Sequence, residues 1–323
     1  MRSIQTRQTF PLAAVKPLEW LATYREFCLS ATRKRLKRSG RSRLISPISG
    51  KEMKPLGEVE GLPYALCPES RSLFLAQVSE PDEWEELLAE THRYRHAPGG
   101  RDDGLSQSRT DNVYAPKLDW IRETLTLQGV LKPRILEAIT PPSELSSLLK
   151  ECRSFAEVQT VNEMDLAHDG VAGTQRGSAE AIVMLESLDR VDDPGGLLRG
   201  AFARMVSGGL LFVTALVASG FDLEVLGLKN LYLYPPDRTN CFSLRGLRQL
   251  LEKQGFKLLE VSTPGVLDVE IVQAHLQVDP SLPLSCFERE IVGADAETRS
   301  EFQSFLQRMG LSSFARIVAK KTS

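Results

Sequence analysis

The stretch from Ala181 to Asp222, AIVMLESLDRVDDPGGLLRGAFARMVSGGLLFVTALVASGFD, constrains the fold more than any other part of the chain. Ala181 to Leu185 is an apolar run of strand length. Pro194 stands where the first turn of a helix accepts it, and Leu197, Leu198, Ala201, Phe202 and Met205 recur behind it at helical spacing. Gly208 and Gly209 are expected to stop that helix, and Leu210 to Leu216 reads as a second, nearly continuous apolar strand. Two such strands joined through a helix make a right-handed parallel crossover buried on both faces. A chain organised around that unit is expected to be a doubly wound α/β protein.

Further along, Tyr234-Pro235-Pro236-Asp237-Arg238-Thr239-Asn240-Cys241-Phe242-Ser243 leads into a helix, Leu244 to Lys253, and then Gly255-Phe256. A strand from Lys257 to Ser262, a helix from Ala296 to Arg308 and a last strand from Ser313 to Lys320 follow. Strand, Glu186, the DDP turn, amphipathic helix, Ser207-Gly208-Gly209 and LLFVT, followed by this downstream text, resemble the fourth and fifth strands of class I S-adenosylmethionine-dependent methyltransferases. The resemblance covers roughly Ser46 to Lys320. It implies a Rossmann-like, mostly parallel sheet with one antiparallel strand, and methyl transfer from S-adenosylmethionine to a small or saccharide-type acceptor.

The resemblance also says where a cofactor would sit, and there the wording departs from the family. Arg134 to Leu145, RILEAITPPSEL, stands in place of the first strand and glycine-rich loop. Glu137 matches the acidic position, but the three glycine positions fall on Ile139, Pro141 and Ser143. Glycine lets such a loop take unusual φ values and approach a ligand closely, whereas Ile139 is stiff and Pro141 lacks an N–H. The loop is expected to fill the space and not to cradle a ligand, with Ser143 capping the next helix. Only 43 residues separate Glu137 from Ala181. They accommodate one strand near Glu157 to Asn162, with Glu163 or Asp165 as the ribose-binding candidate, while Leu166 to Ser178 reads as loop, so the family's third strand is expected to be absent or vestigial. The resemblance implies a cofactor set of Glu137, Ile139, Thr140, Glu163, Asp165, Leu185, Glu186 and Ser187, with the sulfonium near Glu137 and Glu186. It implies an acceptor set of Tyr232, Asp237, Arg238, Asn240 and Phe242.

Histidine is the side chain best suited to move a proton near neutral pH, and the family's histidine positions are held here by Ser187, Asp237-Arg238 and Phe314. No catalytic residue is assigned. The rival reading is a catalytically inactive methyltransferase fold that binds a partner protein or a ligand other than the cofactor.

Ser46 to Leu75 reads as short strands and tight turns and resembles the zinc ribbon that precedes some of these methyltransferases. Four thiolates complete a tetrahedral zinc shell, but the equivalent positions are Ser46, Ser49, Cys67 and Ser70, so no zinc is expected. Packing around Leu56, Leu62, Tyr64, Leu66 and Phe74 is expected to hold the shape. Before it, an apolar helical pattern through Leu18, Leu21, Tyr24 and Phe27 runs into seven cations between Arg33 and Arg43. That run reads as a solvated helix end, dispensable for folding. After the ribbon, Glu80 to Glu90 is acidic and helical. His92 and His96 share one helix face at metal-binding spacing, but no third ligand is placed, and the pattern favours a surface helix. Ala97 to Asn112 is the linker candidate, followed by a helix from Leu118 to Leu127. The expected division is a basic helical N-terminus at 1–45, the ribbon-like segment, acidic helix and linker at 46–112, and the methyltransferase-like domain at 113–323.

Composition narrows the partners. With 40 Lys and Arg against 42 Asp and Glu, the chain makes no global case for nucleic acid. No apolar run of about 18 residues occurs, so no membrane span is expected. Five scattered cysteines fit reduced thiols and a cytoplasmic setting better than a disulfide framework.

Overall fold

The computed structural model describes residue 6 and residues 10–97, 103–140, 144–167 and 177–322. Among them are twelve strands. In chain order they are β1 (Arg41–Ser42), β2 (Lys54–Val59), β3 (Leu62–Leu66), β4 (Leu73–Leu75), β5 (Gln77–Val78), β6 (Arg134–Ala138), β7 (Glu157–Val161), β8 (Ala179–Leu185), β9 (Met205–Leu216), β10 (Asn240–Cys241), β11 (Phe256–Ser262) and β12 (Phe314–Lys321). The central sheet runs β11-β12-β9-β8-β6-β7. Pairings of β6 with β7 and β8, and of β8 with β9, are parallel, whereas β12 is antiparallel to both β9 and β11. This is the doubly wound, mostly parallel arrangement read from the sequence, and no third strand lies between β7 and β8 among the described residues.

Alternation along β8 shows why the sheet is buried on both faces. Ala181, Val183 and Leu185 pack with Trp120, Ile121, Leu145 and Leu149 on one side. Ile182 and Met184 point into the larger core on the other, with Leu197, Leu198, Leu247 and Leu250. The helix Pro194–Arg204 starts on Asp193, whose carboxylate accepts from the Gly196 N–H at 2.8 Å. It ends one residue before Met205, so the glycine pair does not stop the helix. Ala179 pairs with Met205 and Ala181 with Leu210, so the residues between form a bulge inside β9, and Gly208 takes φ +76° there.

The ribbon-like segment is not separate from this body. β2, β3 and β4 form an antiparallel sheet completed by β10, with Phe74 opposite Asn240. Leu62, Tyr64 and Phe74 are buried as expected, but Leu56 is exposed. The basic helix, expected to be dispensable, also packs into this body. Leu18–Ser39 buries Leu21, Tyr24, Cys28 and Leu29 in the main core. Arg35 bonds to Glu86 at 2.5 Å and Glu90 at 3.2 Å, and Arg38 to Glu83 at 2.6 Å, so its cations face the acidic helix Pro81–Arg95 and not solvent alone. The expected linker is likewise structured from residue 103. A helix Asp103–Arg109 continues through a π-turn, Thr110–Tyr114, into Ala115–Leu127.

Candidate functional site

Two adjoining cavities open beyond the carboxyl ends of β6, β8 and β9, where ligands bind in open α/β sheets. The larger holds about 320 Å³ and the smaller about 60 Å³. Arg95, Arg109, Lys117 and Glu186 line both. Glu186 follows β8 directly and sits at φ +62°, a left-handed conformation uncommon outside glycine. Its carboxylate receives Arg238 at 2.7 Å and lies 3.7 Å from the Lys117 ammonium. Burial opposes its ionisation, but Arg238, Lys117 and Lys16 outweigh burial and hold its pKa well below the usual carboxylate range.

In the larger cavity the polar groups are only partly matched. Asp237 accepts from Tyr24 at 3.2 Å and Tyr234 at 3.4 Å and pairs with Arg95. The Lys16 ammonium lies 4.5 Å above the Tyr232 ring, with no carboxylate within ion-pair distance among the described residues. Burial lowers the pKa of Lys16, and it brings Lys117 down to about 8 against the pull of Glu186. Tyr232 is 6% exposed, and its hydroxyl has no hydrogen-bond partner. Asp222, fully buried, accepts from Asn230 at 3.0 Å through one oxygen, while the other has no partner. Burial first, and then the neighbouring Asp268 carboxylate, push Asp222 up to about 7. Arg316 stacks over Trp120 at 5.4 Å, and its Nε is unpartnered.

At the cofactor end the described residues bond to one another. Ile139 is half-buried, with its N–H on the Val161 carbonyl at 2.9 Å, and it lines the smaller cavity with Leu185. Thr140 donates to Glu163 at 3.1 Å, and Arg190 lies 3.6 Å from that fully buried carboxylate. Glu137 accepts from Ser146 at 2.5 Å and Thr160 at 3.5 Å, and burial raises its pKa. Ser187 donates to the Ala138 carbonyl at 2.6 Å, tying the end of β8 to β6. The positions at Pro141 and Ser143 lie outside the described residues.

The sequence-derived sets are thus divided. Tyr232, Asp237, Arg238 and Glu186 meet at the larger cavity, and Ile139, Leu185 and Glu186 at the smaller. Asp165 is exposed on the helix Glu163–Ala167, and Glu137, Thr140, Glu163 and Ser187 line neither cavity. Asn240 and Phe242 also line neither, because this segment enters the small sheet. Asn240 donates to the Leu188 and Val191 carbonyls, both at 2.7 Å, and accepts from Arg43 at 2.7 Å. Phe242 packs edge-on against Phe74. Sequence reasoning missed Lys16, Arg95, Arg109, Lys117 and Asp222. Arg95 lies within the dense HRYRH motif, which was the one available signal.

At the ribbon positions, Ser49 Oγ lies 3.6 Å from Cys67 Sγ, and the Ser46 and Ser70 hydroxyls also bond to the sulfur. Burial opposes the thiolate, but these three hydroxyls outweigh it and bring the thiol down to about 7. No group of three or more His, Cys, Asp or Glu side chains placed to hold a metal occurs among the described residues. His92, read as part of a surface helix, is 6% exposed.

The strand order and the crevice define a doubly wound α/β protein with its site at the strand ends. Residues 130–261 match the family model described as a methyltransferase domain. Over those residues the chain is similar to a methyltransferase domain, the kind of domain its sequence resembles. No curated protein matches the chain. Among solved structures it is similar to the 1,6-didemethyltoxoflavin-N1-methyltransferase of Burkholderia thailandensis, at 12% identity and TM-score 0.44, covering 84% of this chain and 100% of that one. It is also similar to the geranyl diphosphate C-methyltransferase of Streptomyces coelicolor, at 13% identity and TM-score 0.44, covering 74% and 98%.

Proposed function

We propose that the protein binds a small acidic molecule in its larger cavity, at the place where a methyltransferase of this fold receives its acceptor. The supporting observation is a pair of buried atoms there without partners among the described residues, the Tyr232 hydroxyl and one oxygen of Asp222, with the Lys16 ammonium over the Tyr232 ring. Buried polar atoms in native proteins are nearly always matched, so such a set marks where a ligand or ordered water completes the bonding. Arg109, Lys117 and Arg316 add positive charge around the same space. A volume of about 320 Å³ suits a small metabolite and is at the low end for a drug-sized ligand. The free thiols favour a cytoplasmic setting, and no described helix is long and apolar enough to cross a membrane.

S-adenosylmethionine, the cofactor the family implies, does not fit the described residues as they stand. The smaller cavity, about 60 Å³, is far below the several hundred Å³ that a ligand of that size fills. Of the acidic residues expected to serve the cofactor, Glu137 is engaged by Ser146, Glu163 by Thr140 and Arg190, and Glu186 by Arg238 and Lys117, while Asp165 is exposed. No transfer step is derived through it. A second reading, methyl transfer after the cofactor end opens, is favoured by the family match over residues 130–261.

Calorimetry on the full chain separates the readings. Small carboxylates and phosphates are expected to bind, and Lys16→Gln or Tyr232→Phe to weaken them about tenfold. Failure of every acidic compound to bind overturns the reading. Micromolar binding of S-adenosylhomocysteine restores the enzymatic one.

A further inference from the structure

The smaller cavity occupies the position of a cofactor yet is built for something else. It is lined by His92, Arg95, Arg109, Lys117 and Arg190, with Glu144 and Glu186 as its carboxylates. Each guanidinium uses some of its five donors within the protein. Arg95 pairs with Asp237, Arg109 bonds to the Val15 carbonyl at 2.9 Å and the Tyr114 hydroxyl at 3.0 Å, and Arg190 bonds to the Leu185 carbonyl at 3.4 Å. Even so, among the described residues Nε of Arg95, Nε of Arg109 and Nδ1 of His92 are buried without a hydrogen-bond partner, while Nε of Arg190 faces Glu163 at 3.6 Å. Three unmatched nitrogens from three residues that line one small space are not explained by packing. A single buried group with many acceptor atoms would satisfy them together.

We infer that this cavity is an oxyanion pocket that takes a phosphate or sulfate group, either free or as one end of a ligand whose body lies in the larger cavity. The inference rests on the acidic-ligand reading above and specifies its chemistry. A space of about 60 Å³ admits a tetrahedral oxyanion or about two waters, and excludes a nucleoside. Its acceptor oxygens match the fork geometry of arginine, which recognises phosphate in two-pronged fashion. Arg95, Arg109, Lys117 and Glu186 line both cavities, so an anionic group held at this end leaves the rest of a ligand beside Lys16, Tyr232 and Asp222. Glu163 keeps Arg190 in place from behind, at 3.6 Å, and Asp237 does the same for Arg95. His92 sits beside His96, with ring centroids 4.3 Å apart.

The test titrates the full chain with inorganic phosphate, inorganic sulfate, glycerol phosphate and, as a ligand without phosphate, small dicarboxylates. His92→Leu and Arg190→Lys change the pocket and leave the larger cavity alone, and Lys16→Gln does the reverse. Inorganic phosphate is expected to bind the wild type, and each pocket variant to weaken it about tenfold, while Lys16→Gln leaves it unchanged. A glycerol phosphate that binds more tightly than inorganic phosphate, with the advantage lost in Lys16→Gln, identifies a phosphorylated small molecule as the ligand. Equal binding of the two identifies free phosphate. Phosphate binding that is absent, or unaltered in His92→Leu and Arg190→Lys, overturns the inference. If dicarboxylates still bind in a Lys16-dependent way, the larger-cavity reading survives that failure. If nothing acidic binds, both fall. Both pocket variants are melted without ligand first, so that a folding defect is recognised in one and the other carries the test.

Discussion

Replacing Asp237 with Asn tests whether the cluster that joins the N-terminal helix to the larger cavity is held by charge. Its carboxylate accepts from Tyr24 and Tyr234 and pairs with Arg95, whose guanidinium lies 4.6 Å above the Tyr24 ring. Side-chain exposure is 21% for Arg95 and 9% for Asp237, so the pair is largely removed from water. Removing one partner of a buried pair costs about 3–5 kcal/mol, and the residual exposure of Arg95 places the expected loss near the lower end, about 3 kcal/mol. Urea unfolding of the wild type, Asp237→Asn, Arg95→Met and the double variant measures it. The cycle is expected to give a coupling of about 1–3 kcal/mol. Burial opposes the charge on Asp237, but Arg95 and Arg238 overcome it, and its pKa in the fold lies below the usual value. A depressed acid contributes stability that is complete above its unfolded pKa, about 3.9, and lost as pH falls through the folded value. The wild-type advantage over Asp237→Asn is therefore expected to be flat from about pH 8 to about pH 5 and to shrink below about pH 4. A loss under about 0.5 kcal/mol, or an additive cycle, would refute the argument.

Leu29→Ala, in the fully buried face of the N-terminal helix, is expected to cost about 2–5 kcal/mol in chemical denaturation. A loss typical of a surface site would show that this helix does not belong to the core. Gly220→Ala would drive a Cβ into the Ser313 backbone at the edge of the larger cavity. A lower melting temperature is expected, together with weaker binding of whichever acidic ligand the wild type takes. The purified wild type is expected to hold less than one equivalent of zinc by elemental analysis. Ser46→Cys, Ser49→Cys and Ser70→Cys together should gain one, because all three hydroxyls already reach the Cys67 sulfur.

The parts legible in the sequence are those governed by local periodicity. The run of β8, the helix Pro194–Arg204 and β9 follow from apolar spacing, and the helix Leu244–Lys253 from its Ser243 cap and strong one-sided pattern. Its errors came from contacts distant in sequence. The cations between Arg33 and Arg43 read as solvated because nothing nearby neutralises them, whereas Arg35 meets Glu86, 51 residues on, and Arg43 meets Asn240, 197 residues on. Asn240 and Phe242 matched an acceptor motif, yet pairing of β10 with β4 turns them into the core. Arg109 and Lys117 carried no signal, since one lay in an expected linker and the other on an ordinary helix, and only the fold brings them to one wall.

At the cofactor end the described residues do more than stand where glycines were expected. Once Ile139 and Thr140 occupy the loop, the carboxylates behind it are cut off from water, and an unmatched buried carboxylate is costly. Ser146 from the next helix bonds to one oxygen of Glu137, and Thr140 to one oxygen of Glu163, whose other oxygen lies 3.6 Å from Arg190. Returning glycine at position 139 would make room without freeing Glu163, and moving Thr140 away would strand it. Arg190, which lines the smaller cavity, is held by Glu163, so a buried acid fixes a cation beside that space. A cation fixed there adds positive charge to the wall of the smaller cavity, which the proposed anion would meet.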